Sequence, residues 1–136
     1  SLIKNNDVVF GDTKIMHENG KEIYIKAGSL KNIDYGMQFS HQSMLVRKNL
    51  QNKHLYNLNF KYAADYEFIL NSFYSKKKFG RFEGPIVKMS ANGTSDINRI
   101  PVLREWYHII KKISFKGTLI MIIKILFQFL RKYFKV

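Results

Sequence analysis

The fold is decided by residues 8–26, which read VVFGDTKIMHENGKEIYIK. Val8-Val9-Phe10 is a short apolar run closed by Gly11-Asp12, which predicts a buried strand that ends in a turn. Asn19-Gly20 then separates two alternating segments, and this dipeptide favours a type I′ turn, in which both central residues have positive φ. The stretch therefore predicts one core strand followed by a β-hairpin over residues 14–26.

Strands and helices alternate further along the chain. Residues 43–47 predict a strand and residues 48–56 a short helix. A clear helix is predicted to begin at Asp65, because apolar side chains recur on one face, at Tyr66, Ile69, Leu70 and Phe73.

The last part of the predicted body adds one strand and one helix. Gly80 and Gly84 predict a turn that leads into a short strand over residues 85–89. A helix is predicted over residues 97–113, with Pro101 near its first turn. The whole pattern suits an α/β or α+β half-domain.

The composition favours an anionic partner. The chain has 136 residues, which suits one domain of ordinary size, and its formal net charge is +13. A charge of this size favours phosphate groups, a lipid surface or nucleic acid as the partner. The absence of cysteine excludes disulfides and thiolate metal sites, and it fits a reducing compartment.

The C-terminal segment, residues 111–136, carries seven basic residues and no acidic one. Gly117 is predicted to end the preceding helix, and residues 118–134 then form a strongly apolar run. This run is shorter than the about 20 apolar residues that a transmembrane helix needs. At about 100° per residue its polar side chains fall within one arc, formed by Lys124, Gln128, Arg131, Lys132 and Lys135.

Such an arc is typical of a helix that lies in a membrane interface, with its basic side chains reaching lipid phosphates. We therefore expect membrane binding through Lys124, Arg131, Lys132 and Lys135. Packing of the helix on the domain or on a sister chain, and a true span, are the alternatives. Nucleic acid is the weaker expectation, because the apolar residues form a continuous face rather than isolated stacking platforms.

Asp65 and His41 are the side chains that suit chemistry best. Asp65 is either the N-cap of its helix, accepting a backbone N–H, or a general base that takes a proton from a hydroxyl. His41 lies between an apolar strand and a polar loop, either as an ordinary hydrogen-bonding residue or as a catalyst or ligand. Gly93-Thr94-Ser95 is a short loop whose backbone N–H groups suit a phosphate.

Four short motifs occur in a fixed order: Val8-Val9-Phe10-Gly11-Asp12, His41-Gln42-Ser43, Ala63-Ala64-Asp65-Tyr66 and Gly93-Thr94-Ser95. This ordered set resembles the second half of a bacterial family 2 glycosyltransferase of the GT-A fold. The resemblance covers roughly residues 5–100 and is carried by the order and spacing of the motifs. It implies an α/β fold that is the C-terminal half of a nucleotide-diphospho-sugar transferase, over residues 1–110, followed by the amphipathic tail over residues 111–136.

The resemblance also implies a function. It is inverting transfer of a sugar from a nucleotide-sugar donor to a lipid-linked or polysaccharide acceptor, with Asp65 as the base. His41, Gln42 and the loop Gly93-Thr94-Ser95 would bind substrate. The nucleotide-binding half would precede residue 1, and a full-length enzyme would use Mg²⁺ or Mn²⁺, for which this chain carries no Asp-x-Asp motif. We expect a peripheral protein on the cytoplasmic face of the plasma membrane; the alternative is a non-enzymatic membrane-binding module with a small α/β head.

Overall fold

The structure is a computed structural model that describes residues 2–91 and 98–134. It confirms the α/β class, because a mixed four-stranded sheet is combined with several helices. The strands are β1 Val8–Met16, β2 Glu22–Ile25, β3 Met44–Val46 and β4 Phe79–Ser90. The α-helices are α1 Leu2–Asn5, α2 Lys48–Lys53, α3 Ala64–Tyr74, α4 Arg99–Ile110 and α5 Phe115–Phe134, and two 3₁₀ helices span Leu30–Tyr35 and His41–Ser43.

Strand β1 organises the sheet, because every other strand pairs with it. Strand β3 runs antiparallel to its first residues, with Val8 opposite Val46. Strand β2 runs antiparallel to its last residues, with Met16 opposite Glu22. Strand β4 pairs in parallel along the length of β1. The parallel pairing joins residues far apart in sequence, so it brings the late part of the chain onto the early hairpin.

The prediction of where β1 ends was wrong. The strand does not end in a turn at Gly11-Asp12 but continues to Met16. Asp12 stays in the strand because it is buried and accepts hydrogen bonds from the Tyr24 hydroxyl and from the Ala27 N–H (2.8 Å). Tyr24 lies in β2 and Ala27 follows that strand, so the carboxylate fixes the second strand of the hairpin to the centre of the sheet.

The predicted hairpin is confirmed, but its turn is not type I′. Only Gly20 has positive φ (79°), and its N–H donates to the His17 carbonyl at 2.9 Å. The His17 N–H donates to the Lys21 carbonyl, also at 2.9 Å. This is the three-residue loop in which a type I turn is followed by a left-handed glycine.

The turn predicted around Gly80 and Gly84 is also wrong, because both residues lie inside β4. The register against β1 shifts on either side of Asp12, where Pro85 is its partner. A proline and a glycine in mid-strand are compatible with such a β-bulge, which leaves a backbone position without a ladder hydrogen bond.

One hydrophobic core holds the layers together. Strand β1 contributes Val8 and Phe10, and the predicted apolar face of α3 is confirmed, with Tyr66, Ile69 and Leu70 completely buried. The same core contains Ile110 of α4 and Met121 of α5. The predicted tail therefore packs on the body at least through Met121.

The prediction that Gly117 ends the preceding helix was wrong. Helix α5 begins at Phe115, and the Ser114 hydroxyl caps it by accepting the Gly117 N–H at 3.1 Å. A Cβ at position 117 would lie 2.7 Å from Ile110 Cγ1 and 2.8 Å from the Asp34 carbonyl oxygen. Glycine is therefore present because α5 crosses α4 and the 3₁₀ helix Leu30–Tyr35 at close range.

Helix α5 turns only the first part of its polar arc toward the body, and much of its apolar surface faces outward. Lys124 and Gln128 lie on the docked side with the buried Gly117 and Met121. The opposite side exposes large apolar side chains, among them Leu119, Ile122, Ile123, Leu126, Phe127 and Leu130. No element within residues 2–91 and 98–134 covers this face, and exposed apolar surface of this extent is typical of interaction sites.

Candidate functional site

Two of the predicted site residues, His41 and Asp65, are in direct contact. The His41 Nδ1 lies 2.9 Å from the Asp65 Oδ2. The hydrogen bond to this carboxylate raises the pKa of His41 above its usual value, and partial burial opposes the effect. The imidazole thus carries a proton more readily than a free histidine, and the two side chains form one unit.

His41 is held by a short 3₁₀ turn that is bonded to the sheet. The buried Ser43 hydroxyl donates to the carbonyl of Gly11 in β1 at 3.0 Å. The Ser40 side chain accepts the Gln42 N–H at 3.3 Å and so caps the same turn. These bonds fix where the His41 backbone stands relative to the centre of the sheet.

Asp65 is held by the first turn of α3, although it is not the N-cap that one interpretation predicted. Helix α3 begins at Ala64, Ala63 occupies the cap position, and the Asp65 Oδ1 accepts the Tyr66 N–H at 2.7 Å. The loop that precedes α3 is held by a residue of α4. The Glu105 carboxylate accepts three backbone N–H groups, from Lys61 (3.1 Å), Tyr62 (2.8 Å) and Ala63 (2.9 Å).

The His41–Asp65 pair lies in the wall of a cavity of about 730 Å³. This volume is within the range of small-molecule sites. Residues from the sheet, from α4 and from α5 complete the wall, and most of them are apolar. The site is therefore built where the hairpin, the His41 turn and the two C-terminal helices meet.

Two cations lie in the same wall. The Lys124 Nζ donates to the Tyr35 carbonyl, and burial followed by the nearby charge of Arg99 lowers the pKa of Lys124. Within residues 2–91 and 98–134, no carboxylate approaches the charged group of Lys124 or Arg99 closely enough for an ion pair. The wall therefore combines apolar surface with two cations that have no ion-pair partner among the described residues, while its carboxylate, Asp65, is bonded to His41.

The indole of Trp106 also lies in this wall. Its ring packs on Tyr66 with centroids 4.9 Å apart. The Nε1 atom is buried and has no acceptor among the residues that the structure describes. A buried donor without a partner is rare in proteins and calls for an explanation.

The other predicted site residues lie elsewhere. Gln42 is exposed and is not part of the cavity wall. Arg131 and Lys132 are exposed at the end of α5, whereas Lys124 contacts the body of the protein. Gly93, Thr94, Ser95 and Lys135 fall outside the described residues.

No metal site is evident in the described part of the chain. Those residues contain no group of three or more His, Asp or Glu side chains arranged to bind a metal ion. The donor set therefore does not fit the divalent cation that the resemblance implies, and we assign no step to it. Among the helices described, none is both long and apolar enough to cross a membrane.

Sequence reasoning missed three residues of the site. Glu105 and Trp106 lie in a segment that was predicted to be helical but was given no functional role. Arg99 precedes Pro101 and belongs to no motif. A carboxylate in an otherwise cationic chain is the only signal that could have drawn attention to Glu105, since just ten acidic residues are present.

Comparison of the chain with protein-family models, with curated proteins and with solved structures found no match.

Proposed function

We propose that this chain is the acceptor-side part of an inverting glycosyltransferase, which moves a sugar from a nucleotide-sugar donor to a hydroxyl of a lipid-linked or polysaccharide acceptor. The assignment to the C-terminal half of a GT-A fold is part of this proposal. The observation that carries it is the His41–Asp65 pair in the wall of the cavity, with a 2.9 Å contact between residues of two separate motifs.

Inverting sugar transfer requires a base next to the hydroxyl group of the acceptor. The acceptor oxygen forms a bond to the anomeric carbon while the bond from that carbon to the diphosphate breaks. The hydroxyl proton passes to Asp65, and the nucleoside diphosphate leaves with the electron pair. His41 orients the carboxylate, and each Asp65 oxygen, although it already accepts one hydrogen bond, has a second lone pair for the acceptor.

The test is a transfer assay on the protein expressed from its complete reading frame. It measures release of nucleoside diphosphate from a set of nucleotide sugars, with Mg²⁺ and with Mn²⁺. We expect Asp65→Asn to lower kcat by about 10²- to 10⁴-fold, the usual contribution of general acid–base catalysis.

The matched control is Glu67→Gln, which removes another carboxylate from the first turn of α3. Glu67 accepts a hydrogen bond from Asn57 (3.2 Å) and is not part of the cavity wall. It should leave kcat within about twofold of the parent, as surface substitutions usually do. Equal turnover by the parent and by Asp65→Asn would overturn the assignment of the base.

The second candidate function, membrane binding through α5, is favoured by the exposed apolar face of this helix. Leu126 and Leu130 are each 56% exposed, and the basic Arg131 and Lys132 follow directly. A helix of this kind buries its apolar side at the boundary of headgroups and acyl chains. We propose that it holds the protein on the cytoplasmic face of an anionic membrane.

Vesicle sedimentation tests this second function. Leu126→Asp should weaken binding to phosphatidylglycerol vesicles by about tenfold or more, because one charge in the apolar face costs over 2 kcal/mol. The control is Leu58→Asp, since Leu58 is 92% exposed but lies outside α5. Equal loss in the two variants would show that general hydrophobicity, and not α5, drives the binding.

A further inference from the structure

The cavity beside His41 and Asp65 has a wall that a sugar alone does not explain. Ile15 and Met89 of the sheet, Leu103 of α4 and Phe127 of α5 present hydrocarbon to its interior. Sugar-binding walls need polar groups for the many hydroxyls, whereas these side chains suit an aliphatic chain.

The two cations in the wall, Arg99 and Lys124, favour a ligand with a negative charge. A lysine ammonium has three donors, and for Lys124 the structure shows one of them on the Tyr35 carbonyl. The neighbouring charge of Arg99 acts against that of Lys124, and no described carboxylate forms an ion pair with either. An anion placed between two positive charges in a partly apolar cavity wall stabilises both of them.

The cavity is also continuous with the outer apolar face of α5. Ile123 and Phe127 line the cavity, yet they are 57% and 61% exposed. They lie between the cavity and the neighbouring Leu126 and Leu130 on the outward side. A hydrocarbon chain can thus pass from that face into the cavity while it stays in contact with apolar side chains.

We propose that the cavity binds an anionic amphiphile: a single hydrocarbon chain with a phosphate or carboxylate head, the head between Arg99 and Lys124 and the chain along α5. The binding does not depend on the sugar transfer proposed above, because it involves no reaction and its head group is assigned to Arg99 and Lys124, although His41 and Asp65 line the same cavity.

The chain contains a single tryptophan, and Trp106 lies in the cavity wall, so its fluorescence reports on occupancy. The ligand is dodecyl phosphate below its critical micelle concentration, titrated into the complete chain. Inorganic phosphate tests for a site that needs only the anion, and dodecyl maltoside tests for one that needs only the chain. We expect saturable binding of dodecyl phosphate, with affinities for both other ligands lower by about tenfold or more.

Two matched pairs of variants locate the site. Lys124→Gln should weaken binding by about tenfold, the effect of losing a hydrogen bond to a charged group, whereas Lys132→Gln at the exposed end of the helix should not. Ile123→Asp should weaken binding more than Ile122→Asp, because of these two neighbours only Ile123 lines the cavity, while both substitutions place the same charge in the same helix.

The results separate the proposal from its competitors. Equal loss in Ile122→Asp and Ile123→Asp would place the amphiphile on the outer face of α5 and overturn the proposal. Equal affinity for inorganic phosphate and dodecyl phosphate would mean that the cavity binds only the anion. Equal affinity for dodecyl maltoside and dodecyl phosphate would mean that it binds only the hydrocarbon chain, as any detergent-binding surface does. An unchanged affinity in Lys124→Gln would remove the cationic contact on which the choice of ligand rests.

Discussion

Replacing Gly117 by alanine sets helix propensity against packing at the place where α5 docks. In a helix interior alanine is favoured over glycine by about 1 kcal/mol. The new Cβ would, however, lie 2.8 Å from the Asp34 carbonyl oxygen and 2.7 Å from Cγ1 of Ile110, a completely buried side chain. A backbone carbonyl and a core side chain have little room to withdraw, so the steric cost is about 3 kcal/mol, at the upper end for overpacking.

The sum is a net loss of about 2 kcal/mol in the free energy of unfolding, which corresponds to a fall in Tm of roughly 6–8 °C for a chain of this size. Urea unfolding followed by Trp106 fluorescence measures it directly. The comparison of Lys116→Ala with Lys116→Gly, at the exposed neighbouring position, gives the local propensity difference without the clash. A Gly117→Ala variant that is as stable as the parent, or more so, would mean that α5 does not pack on the body as described, and the cavity would lose one wall.

Two further predictions concern carboxylates that hold the fold. Asp12→Asn should lower the free energy of unfolding by about 2 kcal/mol at neutral pH, since the buried carboxylate accepts hydrogen bonds from Tyr24 and Ala27. These hydrogen bonds lower the pKa of Asp12, so the stability that its carboxylate contributes is present above about pH 4 and is lost as the pH falls through the folded-state pKa. Urea unfolding at several pH values should therefore show that the difference in stability between the parent and Asp12→Asn shrinks in acid. A constant difference would contradict this account. Glu105→Gln should cost about 2 kcal/mol and speed hydrogen exchange at the amides of residues 61–63, because a neutral amide accepts their N–H groups less strongly. Unchanged exchange there would refute the role of Glu105 in holding this loop.

Local signals in the sequence were sufficient for the hairpin and for α3. The dipeptide Asn19-Gly20 marks a turn because glycine adopts positive φ without strain, although the turn type depends on where the strands come into register. The apolar face of α3 follows from the spacing of Tyr66, Ile69 and Leu70, all of which are completely buried.

Contacts between distant segments could not be read in this way. In the sequence Gly117 looks like a residue that ends a helix. Only its close approach to Asp34 and Ile110 shows why a glycine lies inside α5. Likewise the polar arc correctly predicted an amphipathic helix, but not that Lys124 and Gln128 face the body.

The candidate site was predictable in part for the same reason. His41 and Asp65 were each singled out as residues suited to chemistry, and their contact depends on the turn that Ser43 bonds to β1 and on the loop that Glu105 holds before α3. No spacing in the chain encodes those long-range hydrogen bonds. Arg99 was missed because an isolated arginine carries no signal until a neighbouring charge such as Lys124 is brought beside it.

The claim that His41 and Asp65 form one unit is tested most directly by the ionisation of His41. Proton NMR of the imidazole resonances, with His41 assigned by its loss in His41→Gln, measures the pKa in the parent and in Asp65→Asn. The hydrogen bond from His41 to Asp65 raises the pKa of His41, so any stability from the pair is present in acid and is lost as the pH rises through the folded-state pKa. We predict a pKa above about 6.5 in the parent and a clear fall in Asp65→Asn; the same pKa in both proteins would contradict the account.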